Sequence, residues 1–152
     1  MQPPPLTPAL AADCQLIAGS FQRLLRRPLI ESVTDDLVGD MWRAQRVIVA
    51  HRDGADPVFF YGNRLALELF EMDWSAFTQL PSRLSAEPLA REERARLLER
   101  VAREGYIDDY AGVRISRTGR RFRIEQAIVW NLLDSRGRPC GQAATFDRWQ
   151  ML

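Results

Sequence analysis

The stretch Arg120–Asp134, RRFRIEQAIVWNLLD, decides how this chain folds. Successive residues of a β-strand point to opposite faces of a sheet, so the alternation of side-chain types predicts one long strand here. One face then carries an apolar series with a single amide in it: Phe122, Ile124, Gln126, Ile128, Trp130 and Leu132. A buried amide needs hydrogen-bond partners, and Gln126 is therefore predicted to be a structural or a ligand-binding group on the covered face.

The other face of this strand changes character along its length. It begins with Arg121, Arg123 and Glu125 and continues with Ala127 and Val129. The first part is predicted to face solvent, whereas the second part needs an apolar partner that covers the back of the sheet.

An amphipathic helix near the N-terminus is a candidate for that cover. Thr7 and Pro8 are typical of a helix start, since threonine caps helix N-termini and proline is tolerated at the first helical position. Ile17, Phe21 and Leu24 follow at helical spacing on one apolar face. We expect this face to pack either on the sheet or on a second subunit of a homodimer.

Short apolar segments and turn residues place the other elements. In chain order, we predict a short helix capped at Thr34, strands at Arg46–His51 and Pro57–Tyr61, short helices capped by Asn63 and Asp73, a long helix at Pro88–Glu104, and strands at Ile107–Ser116 and Gly141–Trp149. The long helix is expected to turn Leu89, Leu97, Val101 and Ala102 inward.

The order of these elements predicts an α+β fold. Hairpin connections and a central helical block leave no repeating strand–helix–strand unit, so the sheet is predicted to be antiparallel, with five strands and helices on one face. This is the plan of a PAS-like sensor domain with an additional N-terminal helix. The chain divides into a disordered lead over residues 1–6, a helical segment over residues 7–45 and the PAS-like domain over residues 46–152.

Composition and charge argue against several classes of protein. A length of 152 residues is enough for one domain with a core. The 21 basic and 20 acidic side chains nearly cancel, which gives no indication of a nucleic-acid or anionic membrane partner. Cys14 and Cys140 make neither a disulfide framework nor a metal site. With no signal peptide and no apolar run of about 20 residues, we expect a cytoplasmic protein with reduced thiols.

Five arginines crowd one predicted hairpin: Arg114, Arg117, Arg120, Arg121 and Arg123. A nucleic-acid surface would also need exposed aromatic residues between them or a known binding motif, and the hairpin has neither. We therefore interpret these side chains as a solvated surface.

Several blocks of the sequence resemble one known family. LPSRLSAEP, AREERARLLERV, YIDDYAGVRISRTGRRFRIEQAIVWNLLD and GQAATF resemble, in this order, the MEKHLA domain, and the resemblance covers about Leu16 to Phe146. This PAS-related domain occurs alone in bacteria and at the C-terminal end of plant class III homeodomain–leucine zipper proteins. The resemblance implies a sensory role and carries over no catalytic residues. It also does not transfer DNA binding, because this chain has no room for the plant proteins' DNA-binding region.

The cofactors of other PAS domains do not match this sequence. A flavin-binding domain of the LOV type needs a cysteine near the short helices, and residues 63–87 contain none. A haem-binding PAS domain usually offers a histidine from the long helix, which has none, and a lone His51 cannot build a metal site. The sequence therefore argues against both a LOV-type flavin adduct and histidine-ligated haem, and the cofactor stays unknown.

A pocket between the sheet and the middle helices is the more plausible place for chemistry. The candidate ligand-binding residues are polar or aromatic groups predicted to face it: Asn63, Arg83, Gln126, Trp130 and Gln142. Each also has a structural interpretation: Asn63 as a helix cap, Trp130 as core, Arg83 as a partner of Glu87, and Gln126 as a partner of a helix backbone.

Three functions remain open. The leading hypothesis is a non-enzymatic sensory module that binds a small molecule and acts through an unknown protein partner or through dimerisation. A small enzyme would instead show an acid–base pair in the pocket, such as His51 or Asp109 beside Arg83. A pure interaction module would have large side chains filling the space between Gln126 and the middle helices.

Overall fold

The computed structural model describes residues 1–31 and 34–152, with only the backbone of residues 88–90. The helices are α1 (Pro8–Leu25), α2 (Leu37–Arg43), α3 (Arg64–Phe70), α4 (Trp74–Phe77) and α5 (Pro88–Glu104), with a 3₁₀ turn at Ser82–Ser85. The strands are β1 (Val47–Arg52), β2 (Phe59–Gly62), β3 (Tyr106–Ile115), β4 (Arg121–Leu133), β5 (Pro139–Phe146) and β6 (Arg148–Met151).

Local capping sets most helix ends where the sequence predicts them. Thr7 Oγ1 accepts a hydrogen bond from the Leu10 amide at 3.1 Å, and Pro8 opens α1. The second helix differs from expectation, because its cap is Asp36 and not Thr34. The hydroxyl of Thr34 instead donates to the Asp40 carboxylate.

The long helix α5 has the predicted bounds but a different inward face. Val101 is fully buried and Leu97 is half-buried, whereas Ala102 is exposed, contrary to prediction. The side chain of Leu89, also predicted to point inward, lies outside the described residues. A positive φ of 92° at Gly105 ends the helix, a conformation that glycine adopts without strain.

The sheet is antiparallel in the order β2-β1-β5-β4-β3, with β6 also paired to β4. It therefore has six strands and not five. The predicted strand Gly141–Trp149 is divided near Asp147 into β5 and β6, which pair with the second and first halves of β4 respectively.

A β-bulge at Gln126 corrects the assignment of faces along β4. Tyr110 and Gly112 of β3 pair with Ala127 and Ile124 of β4, so β4 carries one extra residue between these pairs. Gln126 has a φ of 51°, in the left-handed region. The extra residue reverses the alternation beyond it.

Each side of the sheet consequently has its own core. On one side α1 packs against alternate strand residues; the buried members include Cys14, Ile17, Phe21, Ile48, Tyr61, Ile128, Trp130 and Leu132. The other side lies under α3, α4 and α5, and its buried members include Val47, Val49, Phe59, Leu67, Phe70, Phe77, Phe122, Ile124, Ala127 and Val129. We call these the α1 face and the α5 face.

No helix in the described part of the chain is long and apolar enough to cross a membrane.

Candidate functional site

A small cavity of about 60 Å³ lies between the α5 face of the sheet and the helices that cover it. Most of its wall is apolar and includes Val49, Phe59, Phe70, Ile124, Val129 and Phe146. The polar groups of the wall are His51, Ser85, Arg94, Tyr110, Arg114 and Gln142. Among the residues that the structure describes, no carboxylate side chain lines the cavity.

A row of three polar side chains crosses the sheet beneath α5. His51 of β1 pairs with Gln142 of β5, which pairs in turn with Asn131 of β4. Paired residues on neighbouring antiparallel strands point to the same face, so the register alone brings these three side chains together. All three are more than nine-tenths buried.

Two amides of this row tie α5 to the sheet. Gln142 Nε2 donates to the Leu98 carbonyl at 3.0 Å and to Asn131 Oδ1 at 3.3 Å, while Asn131 Nδ2 donates to the Val101 carbonyl at 3.1 Å. Carbonyl oxygens can only accept, so both amide nitrogens must face α5. This orientation leaves Gln142 Oε1 buried and without a partner among the described residues.

Arg114 enters the cavity wall from β3 and has no acidic partner among the residues that the structure describes. Its guanidinium donates from Nη2 to the Tyr110 hydroxyl at 2.7 Å and from Nη1 to the Val113 carbonyl at 3.0 Å. Gly112 makes this arrangement possible, because a Cβ at that position would lie 2.7 Å from Cζ of the Tyr110 ring. Arg114 is 7% exposed, and both of its hydrogen-bond partners are neutral.

Arg94 enters from α5 and is 9% exposed. It has no hydrogen-bond or ion-pair partner in the described part of the chain. Burial is the main reason that the pKa of Arg94 is lowered to about 10, and repulsion from the Arg114 guanidinium is the second. At neutral pH the wall therefore holds two buried positive charges with no counterion in the described part of the chain.

His51 is neutral at physiological pH. Burial lowers the pKa of its imidazole, and the nearby Arg94 charge adds to this effect. Nδ1 lies 3.1 Å from the carbonyl oxygen of Arg52, so in the neutral ring Nδ1 is the donor and Nε2 remains an acceptor.

Two of the predicted site residues lie in the inner core, with different surroundings. Gln142 lines the cavity. Asn63 is fully buried, and both atoms of its side-chain amide are hydrogen-bonded to the backbone. Its Oδ1 accepts from the Ile48 and Ala66 amides, and its Nδ2 donates to the Met41 and Arg46 carbonyls. Asn63 therefore caps α3 and does not line the cavity.

The placement of Gln126 and Trp130 in the pocket is wrong, and the bulge is the reason. Gln126 is exposed, and its Oε1 accepts a hydrogen bond from Arg148 at 3.1 Å. Trp130 lies on the α1 face, where its indole nitrogen donates to the Ile17 carbonyl at 3.2 Å. Arg83 is also remote: it is exposed and pairs with Asp56 at 2.9 Å, not with Glu87.

The three residues named for the leading helix pack on the protein's own sheet. Ile17 and Phe21 are buried, and Leu24 is half-buried at the edge of the same cluster. The Phe21 and Trp130 rings meet edge to face, with centroids 4.9 Å apart. Substituting Phe21 would therefore disturb the core of one subunit before it could report on a dimer.

Arg94 and Arg114 are the site residues that sequence reasoning missed. Arg94 precedes Leu97, Leu98 and Val101 at spacings of three, four and seven, which is the inward stripe of α5 and was the available signal. The interpretation of Arg114 as solvated surface is wrong, because it faces the cavity whereas Arg121 and Arg123 are exposed.

The acid–base pair that an enzyme would need is not assembled at the positions considered. Asp109 is exposed and lies 3.9 Å from Arg100, whereas Arg83 pairs with Asp56. His51 lines the cavity, and Arg83 does not. Within the described residues, no group of three or more His, Cys, Asp or Glu could hold a metal ion.

Solved structures with a similar fold include a PAS domain and a blue-light photoreceptor. The PAS domain of a protein from Colwellia psychrerythraea superposes with a TM-score of 0.61, at 12% identity, over 75% of this chain and 92% of that domain. The light-state dimer of the fungal blue-light photoreceptor Vivid gives a TM-score of 0.58, at 13% identity, over 85% of this chain and 91% of that one. At these identities the likeness establishes a PAS-like fold.

The cavity does not fit a flavin of the kind that such photoreceptors suggest. Its 60 Å³ compares with the roughly 300 to 1,000 Å³ of pockets for ligands of drug size. Cys14 lies on the α1 face, and Cys140 is not in the cavity wall.

Comparison with related sequences identifies the family of this chain. Homeobox-leucine zipper protein ATHB-9 of Arabidopsis thaliana is 24% identical over 120 residues, which are 78% of this chain and 14% of that protein. The chain thus spans about a seventh of that relative's length. The MEKHLA domain profile matches residues 11–151. With this match over nearly the whole length, on a PAS-like fold, the chain belongs to the MEKHLA domain family.

Proposed function

We propose that this domain is a sensory module that binds a small molecule in the cavity between the sheet and α5. The observation that carries the proposal is Arg94, a buried cation that faces the cavity without a partner among the described residues. An uncompensated buried charge is costly, so the site is better suited to a ligand than to an empty core. The unpartnered Gln142 Oε1 supports the same function.

The connections of α5 provide a route for a signal. Gln142 and Asn131 hold the helix through the carbonyls of Leu98 and Val101, so a ligand that contacts Gln142 competes with or tightens this attachment. Asn131 is adjacent to Trp130, which packs against α1 on the opposite face. A ligand would shift the equilibrium between two arrangements of α5 and β4 only if it bound one arrangement more tightly than the other.

The domain passes its signal on by binding a protein partner or by self-association. The structural neighbour Vivid is a light-state dimer, which supports dimerisation as an output of this fold. A cytoplasmic location stays a prediction. The enzyme alternative has no observation of its own in its favour, because the cavity wall pairs neutral groups and cations, and not an acid with a base.

Absorption spectra with native and denaturing mass spectra test ligand binding, using protein purified without added cofactor. We expect a molecule present at one copy per chain in the native spectrum and released on denaturation. Ala144→Leu would fill the cavity and lose this molecule, whereas Ala102→Leu on the exposed side of α5 would retain it. A clean mass together with no stabilisation by any member of a metabolite library would contradict the proposal.

A further inference from the structure

Three of the buried polar groups that line the cavity, besides His51 and Ser85, come from three different elements. Arg94 comes from α5, Arg114 from β3 and Gln142 from β5, and each is at least nine-tenths buried. Both arginines line the same cavity, and the charge of Arg114 lowers the pKa of Arg94. The site thus combines two cations with the unpartnered acceptor Gln142 Oε1 and with Nε2 of the neutral His51 ring, which lines the same cavity.

The two cations define the charge of the missing partner. Arg114 donates only to neutral oxygens, and Arg94 has no partner in the described residues. Guanidinium groups present donors in a planar fork that matches the two oxygens of a carboxylate. An anion placed between them would compensate both charges and use donors that are otherwise idle.

The volume limits the ligand to a few atoms. A water-sized group needs about 10 to 15 Å³, so a cavity of 60 Å³ holds about four to six non-hydrogen atoms. The apolar wall formed by residues such as Val49, Phe70 and Ile124 would leave several oxygens of an inorganic phosphate unpaired. A carboxylate with a short carbon chain matches this wall better.

Gln142 adds a requirement for a hydrogen-bond donor. Its nitrogen is committed to Leu98 and Asn131, so its free oxygen can only accept. A hydroxyl on the carbon chain would satisfy this oxygen, which a plain fatty acid of the same length would leave buried and unpaired.

We propose that the ligand is a short-chain hydroxycarboxylate, with its carboxylate between Arg94 and Arg114 and its hydroxyl donating to Gln142. This assignment rests on the proposed ligand-binding function and specifies the chemical class of the ligand.

Isothermal titration calorimetry in Tris buffer tests the assignment with six compounds: glycolate, lactate, acetate, propionate, phosphate and neutral glycerol. We expect saturable 1:1 binding of glycolate or lactate, at least several-fold tighter than that of acetate or propionate, which lack the hydroxyl. Phosphate and glycerol should bind more weakly still. Equal affinities of lactate and propionate would overturn the proposed hydrogen bond from the ligand hydroxyl to Gln142. Tighter binding of phosphate would overturn the assignment of the ligand as a carboxylate.

Variants locate the site. Arg94→Met should lower the affinity for the hydroxycarboxylate at least tenfold, while the melting temperature of the ligand-free protein stays equal or rises, because a buried charge has been removed. The matched control is Arg96→Met, since Arg96 lies on the same helix with a side chain 65% exposed. Should Arg94→Met fail to fold, Arg94→Gln provides the same test. Unchanged affinity in a folded Arg94 variant would overturn the assignment.

The two proposals fail separately. If the carboxylates do not bind but mass spectrometry finds another molecule that Ala144→Leu excludes, the hydroxycarboxylate is wrong and the sensory function stands. If neither experiment finds a ligand, both proposals are contradicted.

Discussion

The two faces of the sheet differ in how they are covered. On the α1 face, an edge-to-face pair of Phe21 and Trp130 sits in an apolar cluster, and the indole nitrogen is satisfied by the Ile17 carbonyl. On the α5 face, a cavity with Arg94 and Arg114 in its wall lies between the sheet and the helices. The first face is mainly apolar, and it also buries the Tyr61 hydroxyl without a hydrogen-bond partner among the described residues, whereas the second face buries two cations. A sheet with one mainly apolar core can tolerate a costly binding site on its other side.

The largest expected effect comes from the α1 face. Phe21→Ala should lower the free energy of unfolding by about 3 to 5 kcal/mol, because it leaves a cavity beside Trp130 that the rigid core cannot close. Urea denaturation monitored by tryptophan fluorescence measures this. Gln22→Ala, at an exposed neighbouring position, should change stability by less than about 0.5 kcal/mol. A loss below about 1 kcal/mol for Phe21→Ala would mean that α1 is not part of the core.

A smaller effect is expected from the polar ties of the α5 face. Asn131→Ala removes the bond to the Val101 carbonyl and the acceptor of Gln142, at a cost of about 1 to 3 kcal/mol. Amide hydrogen exchange should accelerate in α5 more than in α1. Ser20→Ala provides the converse control, because Ser20 Oγ accepts from the Leu133 amide on the α1 face. Equal acceleration of hydrogen exchange in α1 and α5 after Asn131→Ala would contradict the view that the two helices are attached to the sheet independently.

The α5 face should also carry a pH dependence through His51. Because burial lowers the folded-state pKa of His51, the unfolded chain binds the proton first as the pH falls below the ordinary value of 6.5. The free energy of unfolding should therefore decrease between pH 7 and pH 5. Chemical denaturation at these two pH values should show a smaller decrease for His51→Gln. An identical decrease in both proteins would assign the dependence to other groups.

The carboxylate of Glu71 should also make the free energy of unfolding decrease as the pH falls, but in a lower pH range. It accepts hydrogen bonds from Ser116 and Thr118, which lower its pKa from 4.5. Its contribution is present at neutral pH and is lost only as the pH falls below that value. Measurements above pH 5 therefore isolate His51.

The smallest effect is expected at the bulge that separates the two faces. Gln126→Gly should be neutral or stabilising within about 1 kcal/mol, because glycine accepts the φ of 51° without strain and little packing is lost at this exposed position. Gln126→Val should destabilise by about 1 to 2 kcal/mol, since a β-branched residue is poorly tolerated there. Thermal unfolding compares the two. Stabilisation by valine would show that residue 126 is extended and that the bulge lies elsewhere.

Local rules predicted much of the scaffold. The caps at Thr7, Asn63 and Asp73 and the span of α5 follow from hydrogen bonds within a few residues of each other, so neighbouring sequence contains the needed information. The antiparallel α+β fold follows similarly from turn positions and alternation. Of the predicted ligand-binding residues, Gln142 lies in the cavity wall, while Asn63, Arg83, Gln126 and Trp130 do not.

The sequence by itself determined the order of the helices and of most strands and the need for cover on both sides of the sheet, because these depend on periodicity and local propensity, and its resemblance to the MEKHLA domain indicated the family. Only the tertiary structure decided which residues meet in the cavity. One unpaired residue at Gln126 exchanges the faces of everything beyond it in β4, and no composition rule marks that position in advance. The meeting of Arg94 with Arg114 likewise depends on how α5 crosses the sheet, a contact between residues distant in the chain.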